Sequence, residues 1–264
     1  MVGQAGEPAR PTLSRAFREN VNEAINVLGR RVLHWLDGYF RRHSLVGGHT
    51  FFDSAQFPWI RAVEAGWAVM RRELDAVLRD REALPNFQDV VNREPHLPND
   101  TGWKTYLFFG YGIDFPKNIE RCPETVRLVR QIPGMTSAMF SILSPGKRIP
   151  PHRGPYAGVL RYHLALTVPE PAAQCGIRVG GHVRQWEEGH SLVFDDVFEH
   201  EVWNDTSGVR VVLFVDFKRP LRGMAPYVND LLIMLVRLSP HVRDASARHR
   251  AWVERLEKLR SRVS

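Results

Sequence analysis

Apolar residues recur at helical spacing near both ends of the chain and at strand spacing between them. Ser14 is placed to N-cap a helix running to about Arg42, with Phe17, Val21, Ile25 and Leu28 on one face. Further along, Val32, Leu33, Trp35, Leu36, Tyr39 and Phe40 form a broad apolar face suited to core or subunit packing. Ile60, Val63, Trp67, Met70 and Leu74 predict a second helix over 58–78. Pro85, Pro95 and Pro98 mark an irregular stretch, followed by an aromatic-rich strand over 104–111 and a short helix over 124–131.

From Thr136 the period changes. Short β-rich runs at 137–143, 158–168, 175–179, 182–186, 191–194, 199–203 and 209–217 predict an antiparallel sandwich or barrel. Gly180–Gly181 and Glu188–Gly189 read as hairpin turns. After Pro220, residues 226–238 and 244–262 return to helical spacing. The pattern divides the chain into a loose tail (1–13), an N-terminal helical segment (14–49), a β-rich domain (50–220) and a basic helical extension (221–264). The expected fold class is mainly β with flanking α-helices.

Composition narrows the picture. With 264 residues, 44% of them hydrophobic and 25% charged, the chain is neither collagen-like nor wholly disordered. Cys122 and Cys175 are too few for a disulfide framework. The run Leu231–Val236 is far short of the roughly 20 residues of a bilayer span, and no secretory signal pattern opens the chain. A cytoplasmic protein is expected. The net charge of +7 is uneven: residues 1–44 hold seven Lys/Arg against four Asp/Glu, and 218–264 hold eleven against four. The middle is slightly acidic, so no nucleic-acid partner is expected. The basic ends read as solvated helix faces, with a weak membrane-surface or homodimer contact as the alternatives.

Candidate chemistry lies in the β region. Eight histidines (34, 43, 49, 96, 182, 190, 241 and 249) lack convergent partners and read as surface or packing residues. His152 follows Pro150–Pro151, and His200 opens a later strand after Asp195–Asp196. Imidazoles on neighbouring strands of a small sandwich can aim into one cavity, where they suit Fe, Zn, Cu or Ni; satisfied polar residues at a rim are the plainer reading. Arg210 stands in the apolar run 209–217, where a guanidinium is costly without an anion. Arg161 and His163 are two apart on one strand and share a face. Ser141 lies in the strand leading to His152. Two strand arginines with a hydroxyl suit a bound dicarboxylate; an internal ion pair with Asp195, Asp196 or Asp216 would explain them equally.

The stretch from Phe140–Ser141 to Pro220, with PGKRIPPHRGPYAGVLRYHLAL and WEEGHSLVFDDVFEHEVWND, resembles the aspartyl/asparaginyl β-hydroxylase family. LPNFQDV, GWKTYLFFGYG, RCPETVRL and IPGM extend the likeness upstream, so that it covers roughly 50–220. The resemblance implies a double-stranded β-helix (jelly-roll, cupin-like) core and a dioxygenase using Fe(II), 2-oxoglutarate and O₂. By position it implies that His152 and His200 bind iron and are the catalytic residues. It assigns 2-oxoglutarate to Ser141, Leu143, Arg161, His163 and Arg210, with Arg210 facing the distal carboxylate, and places Asp196 near the substrate.

One position departs from the wider oxygenase class. The usual facial triad adds a carboxylate two residues after the first histidine, and here that residue is Gly154. The family's animal peptidyl hydroxylases share this feature, whereas the related lipid A hydroxylases read HRDP there. The likeness therefore implies hydroxylation of an Asp or Asn residue, or of an amino-acid-like small molecule, ahead of a lipid. Halogenation, a lipid-modifying hydroxylase at a membrane surface and a non-catalytic cupin-like binding module are the alternatives. The animal enzymes present protein substrates with a helical-repeat domain; no repeat is found in this sequence, so a small-molecule substrate stands level with a peptide.

Overall fold

The computed structural model describes residues 35–87 and 102–238. The tail 1–13, most of the first helix and the helix expected over 244–262 lie outside the described residues. The first helix is seen from 35 to 42. Eleven strands are described: β1 (Phe51–Phe52), β2 (Trp103–Gly110), β3 (Ile113–Asp114), β4 (Met135–Leu143), β5 (Lys147–His152), β6 (Val159–Thr167), β7 (Cys175–Val179), β8 (His182–Gln185), β9 (Ser191–Phe194), β10 (His200–Asn204) and β11 (Arg210–Lys218). The labelled helices are α1 (Ile60–Ala65), α2 (Trp67–Leu78), α3 (Pro116–Arg121), α4 (Pro123–Val129) and α5 (Ala225–Leu238).

All strand pairs are antiparallel. One sheet has the order β1-β9-β6-β11-β4-β2-β3 and the other β5-β10-β7-β8. They face each other as a jelly-roll sandwich, as expected. Central β11 explains the packing. Its odd residues Val211, Leu213, Val215 and Phe217 join Met70, Leu74, Val126 and Val129 in a core beneath the helices. Its even residues Val212 and Phe214 face the smaller sheet, meeting Ile149, Ile177, Val179 and Val202. A strand buried on both faces reads as a continuous apolar run, which is why Arg210 at its start stands out.

Three details differ from the expected elements. The helix over 58–78 is two helices that break at Gly66, where an added Cβ would overlap Leu128 Cδ1; the glycine lets α4 pack close. The Glu188–Gly189 turn is not a hairpin, because β8 and β9 belong to different sheets. His152 ends a strand of its own, β5. Pro150 and Pro151 mask that strand in the sequence, and they are tolerated because β5 is an edge. Among the described residues no helix is long and apolar enough to cross a membrane.

A third cluster seals one end of the sandwich. Leu36 and Phe40 of the first helix and Ala225 of α5 pack with Tyr156, Val197 and Leu221. Buried Arg219 ties this end together. It donates to the carbonyls of Ala157 (2.6 Å) and Gly47 (3.1 Å) and pairs with the Asp195 carboxylate at 2.6 Å. Removing one partner of a buried pair leaves the other charge uncompensated. Arg219→Met should therefore lower unfolding free energy by ~3–5 kcal/mol in urea denaturation. A loss below ~1 kcal/mol would mean that the pair adds nothing.

Candidate metal and anion site

The two strand-end histidines meet. His152 closes β5, His200 opens β10, and the two are paired in register, with ring centroids 4.1 Å apart. The register shifts between His200 and Val202, an irregularity of the kind that re-aims a side chain beside a site. Each ring is set by its own backbone. His152 Nδ1–H donates to Pro150 O at 2.8 Å, and His200 Nδ1–H donates to Phe198 O at 3.0 Å. A carbonyl can only accept, so Nδ1 carries the proton and Nε2 keeps its lone pair for a ligand. Burial lowers both pKa values. His200 falls to about 3, with His152 and Arg161 adding to the effect. Both rings are neutral at physiological pH, the form that binds metal.

Gly154, where the wider oxygenase class would place a carboxylate, has no side chain. A Cβ on Gly154 would overlap both carboxylate oxygens of Asp196, so that carboxylate occupies the space. Gly154 N–H donates to Asp196 O at 2.7 Å, locking the two loops together. Burial pushes the Asp196 carboxyl up to about 7, against the pull of Arg161. Among the described residues, no group of three His, Cys, Asp or Glu side chains is arranged to hold a metal. Two imidazoles alone would leave most of a metal's coordination for a chelating ligand and water. That set fits a first-row metal such as iron.

Deeper between the sheets lies Arg210. Its side chain is buried, its Nε has no partner, and Nη1 reaches Ser141 O only at 3.5 Å. The Trp186 ring lies 4.6 Å from its Cζ. Burial pulls the guanidinium pKa down to about 10. Leu143 is its register partner on β4, and Ser141 stands two residues before Leu143, its Oγ accepting from Trp103 Nε1 at 3.0 Å. Both ring nitrogens of His163 are buried without partners, walled by Phe194, Phe214 and Trp186. A buried cation beside several unpaired polar atoms is the arrangement an anionic ligand would complete. The residues present fit 2-oxoglutarate.

Arg161 behaves differently. It is held by Asp216, with Nε to Oδ1 at 2.9 Å and Nη2 to Oδ2 at 3.4 Å, and Nη2 also lies 2.9 Å from Asp196 Oδ2. Burial opposes its charge, but the two carboxylates outweigh burial and raise its pKa. The internal ion pair, one of the two readings open from sequence, is what the structure shows for Arg161. Trp103, Trp186, Phe194 and Phe214 join the site without a motif to mark them. Their aromatic character is visible in the sequence, but not which way they face. Phe198, two residues before His200, lines an open cleft of about 400 Å³ with His49, Phe51, His182 and Arg184.

The jelly roll brings two facing histidines and a buried arginine together, and comparison with known proteins gives the class. A profile of the aspartyl/asparaginyl beta-hydroxylase family matches residues 64–220, and the chain belongs to that family. It is 43% identical over 221 residues to an ornithine lipid ester-linked acyl 2-hydroxylase of Rhizobium tropici, covering 84% of this chain and 79% of that protein. It is 31% identical over 166 residues to the aspartyl/asparaginyl beta-hydroxylase of Homo sapiens, covering 61% of this chain and 21% of that protein. A solved prolyl-4-hydroxylase from Pseudomonas putida covers 60% of this chain, which covers 88% of it in turn, at 20% identity and a TM-score of 0.38.

The unpaired ring of His163 makes a prediction about the ligand-free protein. Replacing an orphaned buried polar group by an apolar one of similar size is neutral or stabilising, so His163→Leu should hold or raise stability by about 1 kcal/mol. Denaturation without cosubstrate measures this. A loss of ~2 kcal/mol or more would mean that the ring nitrogens are already satisfied.

Proposed function

We propose that this protein is an Fe(II)- and 2-oxoglutarate-dependent dioxygenase that hydroxylates an unactivated C–H bond on the acyl chain of an amino-acid-headed lipid. The observation that carries the cofactor assignment is the pair of register-matched histidines, their Nδ1 atoms tied to carbonyls, beside a buried Arg210 whose Nε is unpaired. When bound, ferrous iron with 2-oxoglutarate and O₂ supplies the oxidation: 2-oxoglutarate goes to succinate and carbon dioxide while a substrate C–H becomes C–OH.

The chain's own residues supply position and electrostatics. His152 and His200 hold the metal through Nε2, their orientation set by the carbonyls of Pro150 and Phe198. Arg210 binds the distal carboxylate, with the face of its guanidinium fixed by Trp186 and the Ser141 hydroxyl oriented by Trp103. His163 offers its unpaired nitrogens on the same inner face. Arg161 acts as a brace, joining Asp216 to Asp196 and so keeping the Asp196 carboxylate in the space beside Gly154.

The lipid substrate rests on different grounds. The Rhizobium relative is alike over most of both chains, whereas the human enzyme is matched over only about a fifth of its length. This reverses the order drawn from Gly154, which placed an Asp or Asn side chain ahead of a lipid. The cleft lined by Phe51, Phe198 and Arg184 supports the change, with apolar walls and a cation for the carboxylate of an amino-acid head group.

Two experiments test the reading. His200→Ala should abolish iron-dependent 2-oxoglutarate consumption. Arg210→Met should raise the 2-oxoglutarate concentration needed for half-maximal rate about tenfold to a hundredfold, the equivalent of a lost charged hydrogen bond. Wild-type kinetics in either variant would remove that residue from the site. Succinate release should be stimulated by an ester-acylated ornithine lipid and not by Asp- or Asn-containing peptides. The opposite preference would return the substrate to the peptide class.

A further inference from the structure

Helix α5 is apolar on both of its long faces. Ala225, Val228 and Leu232 pack into the cluster with Phe40 and Tyr156. On the opposite side, Tyr227, Leu231, Met234, Leu235 and Leu238 recur at helical spacing and lie open, with Tyr227 68%, Leu231 52% and Leu235 53% exposed. An exposed apolar stripe on a helix already packed by its other face needs a partner.

The helix's two charges do not interrupt that stripe. Asp230 is drawn to Lys218 at 2.6 Å, and the Arg237 guanidinium rests against Gly112, where it fills the space an added Cβ would take. Both charges turn back onto the protein body.

The helix is also fixed at the end of the sandwich that holds the histidines. Asn229 Nδ2 donates to Gly158 O at 2.7 Å, and Tyr156 O–H donates to Asn229 Oδ1 at 3.2 Å, which ties α5 to the loop following His152. Val197, between Asp196 and Phe198, belongs to the same cluster.

We propose that the open face of α5 is a docking surface for an anionic phospholipid bilayer, seating the mouth of the metal site against the membrane. Charge complementarity selects this occupant. Residues 239–264, which follow the stripe in sequence, carry seven Lys/Arg against three Asp/Glu, and an apolar stripe next to a basic segment is the combination that binds anionic lipid interfaces. The proposal rests on the lipid-hydroxylase reading and deepens it, since an acyl chain held in a bilayer must meet the site at the interface.

The test uses the full-length protein with phosphatidylethanolamine vesicles containing about 30% phosphatidylglycerol, compared with phosphatidylcholine vesicles. The expected result is that the wild type floats with the anionic vesicles at low salt. The Leu231→Glu/Leu235→Glu double variant should lose about tenfold or more of that binding. Both positions are on the open face, so the variant keeps the wild-type melting temperature. It also keeps the stabilisation that cobalt(II) with 2-oxoglutarate confers, a readout independent of turnover. A wild type that ignores anionic vesicles, or a double variant that floats equally well, overturns the docking surface. A dimer that becomes a monomer in the double variant with vesicle binding unchanged overturns it in favour of a second copy. Failure of cobalt(II) and 2-oxoglutarate to stabilise the wild type would instead count against the cofactor reading, whatever the vesicles show.

Discussion

A guanidinium sealed inside a β-sandwich, with no carboxylate of the described residues paired to it, is a cost that the rest of this fold must carry. Arg210 is that group. Its strand is buried on both faces, its neighbours are aromatic and aliphatic, and its Nε is unpaired. The unpaired His163 ring lies on the same inner face, so the interior is organised around charge and hydrogen-bonding capacity that the polypeptide itself does not complete. Strand pairing on both sides of β11 supplies the stability that tolerates this. A dicarboxylate entering there would bring the missing acceptors, and binding would be coupled to relief of a folding cost.

The end that holds the two histidines follows another logic. Nothing there is left to side-chain freedom: each histidine ring is pinned by a carbonyl two residues earlier, and the bulged register of β10 sets their mutual approach. The exchange between Gly154 and Asp196 obeys the same restriction of space. A side chain at 154 and the carboxylate of Asp196 cannot occupy one volume, and Arg161 together with Asp216 holds the Asp196 arrangement in place. Arg161 thus serves the site through the carboxylates it binds. Its position in a strand two residues before His163 is compatible with that role and with direct ligand binding alike.

Around this end the molecule changes character, from polar mouth to apolar flank. The first helix and α5 form a small separate core, and α5 then presents a second apolar face outward. In sequence, the slightly acidic middle of the chain gives way after α5 to a basic segment. The proposed lipid-directed chemistry and the proposed membrane contact of α5 would be two aspects of one arrangement.

Much of this is legible in residue order alone. Alternation of apolar residues determined the sandwich, and helical spacing determined the covering helices, because both patterns follow from backbone geometry without reference to the rest of the chain. The two histidine motifs and the arginine embedded in an apolar strand are visible for the same reason: a residue type that conflicts with its local pattern announces itself. Tertiary structure decided what depends on meeting across sequence distance. It showed that Pro150 and Pro151 sit on an edge strand, that the Glu188–Gly189 turn passes between sheets and that Gly66 divides a helix to admit Leu128. It also showed that Arg161 pairs inward while Arg210 does not. Each of these turns on a contact whose partner lies far along the chain, and periodicity carries no record of such partners.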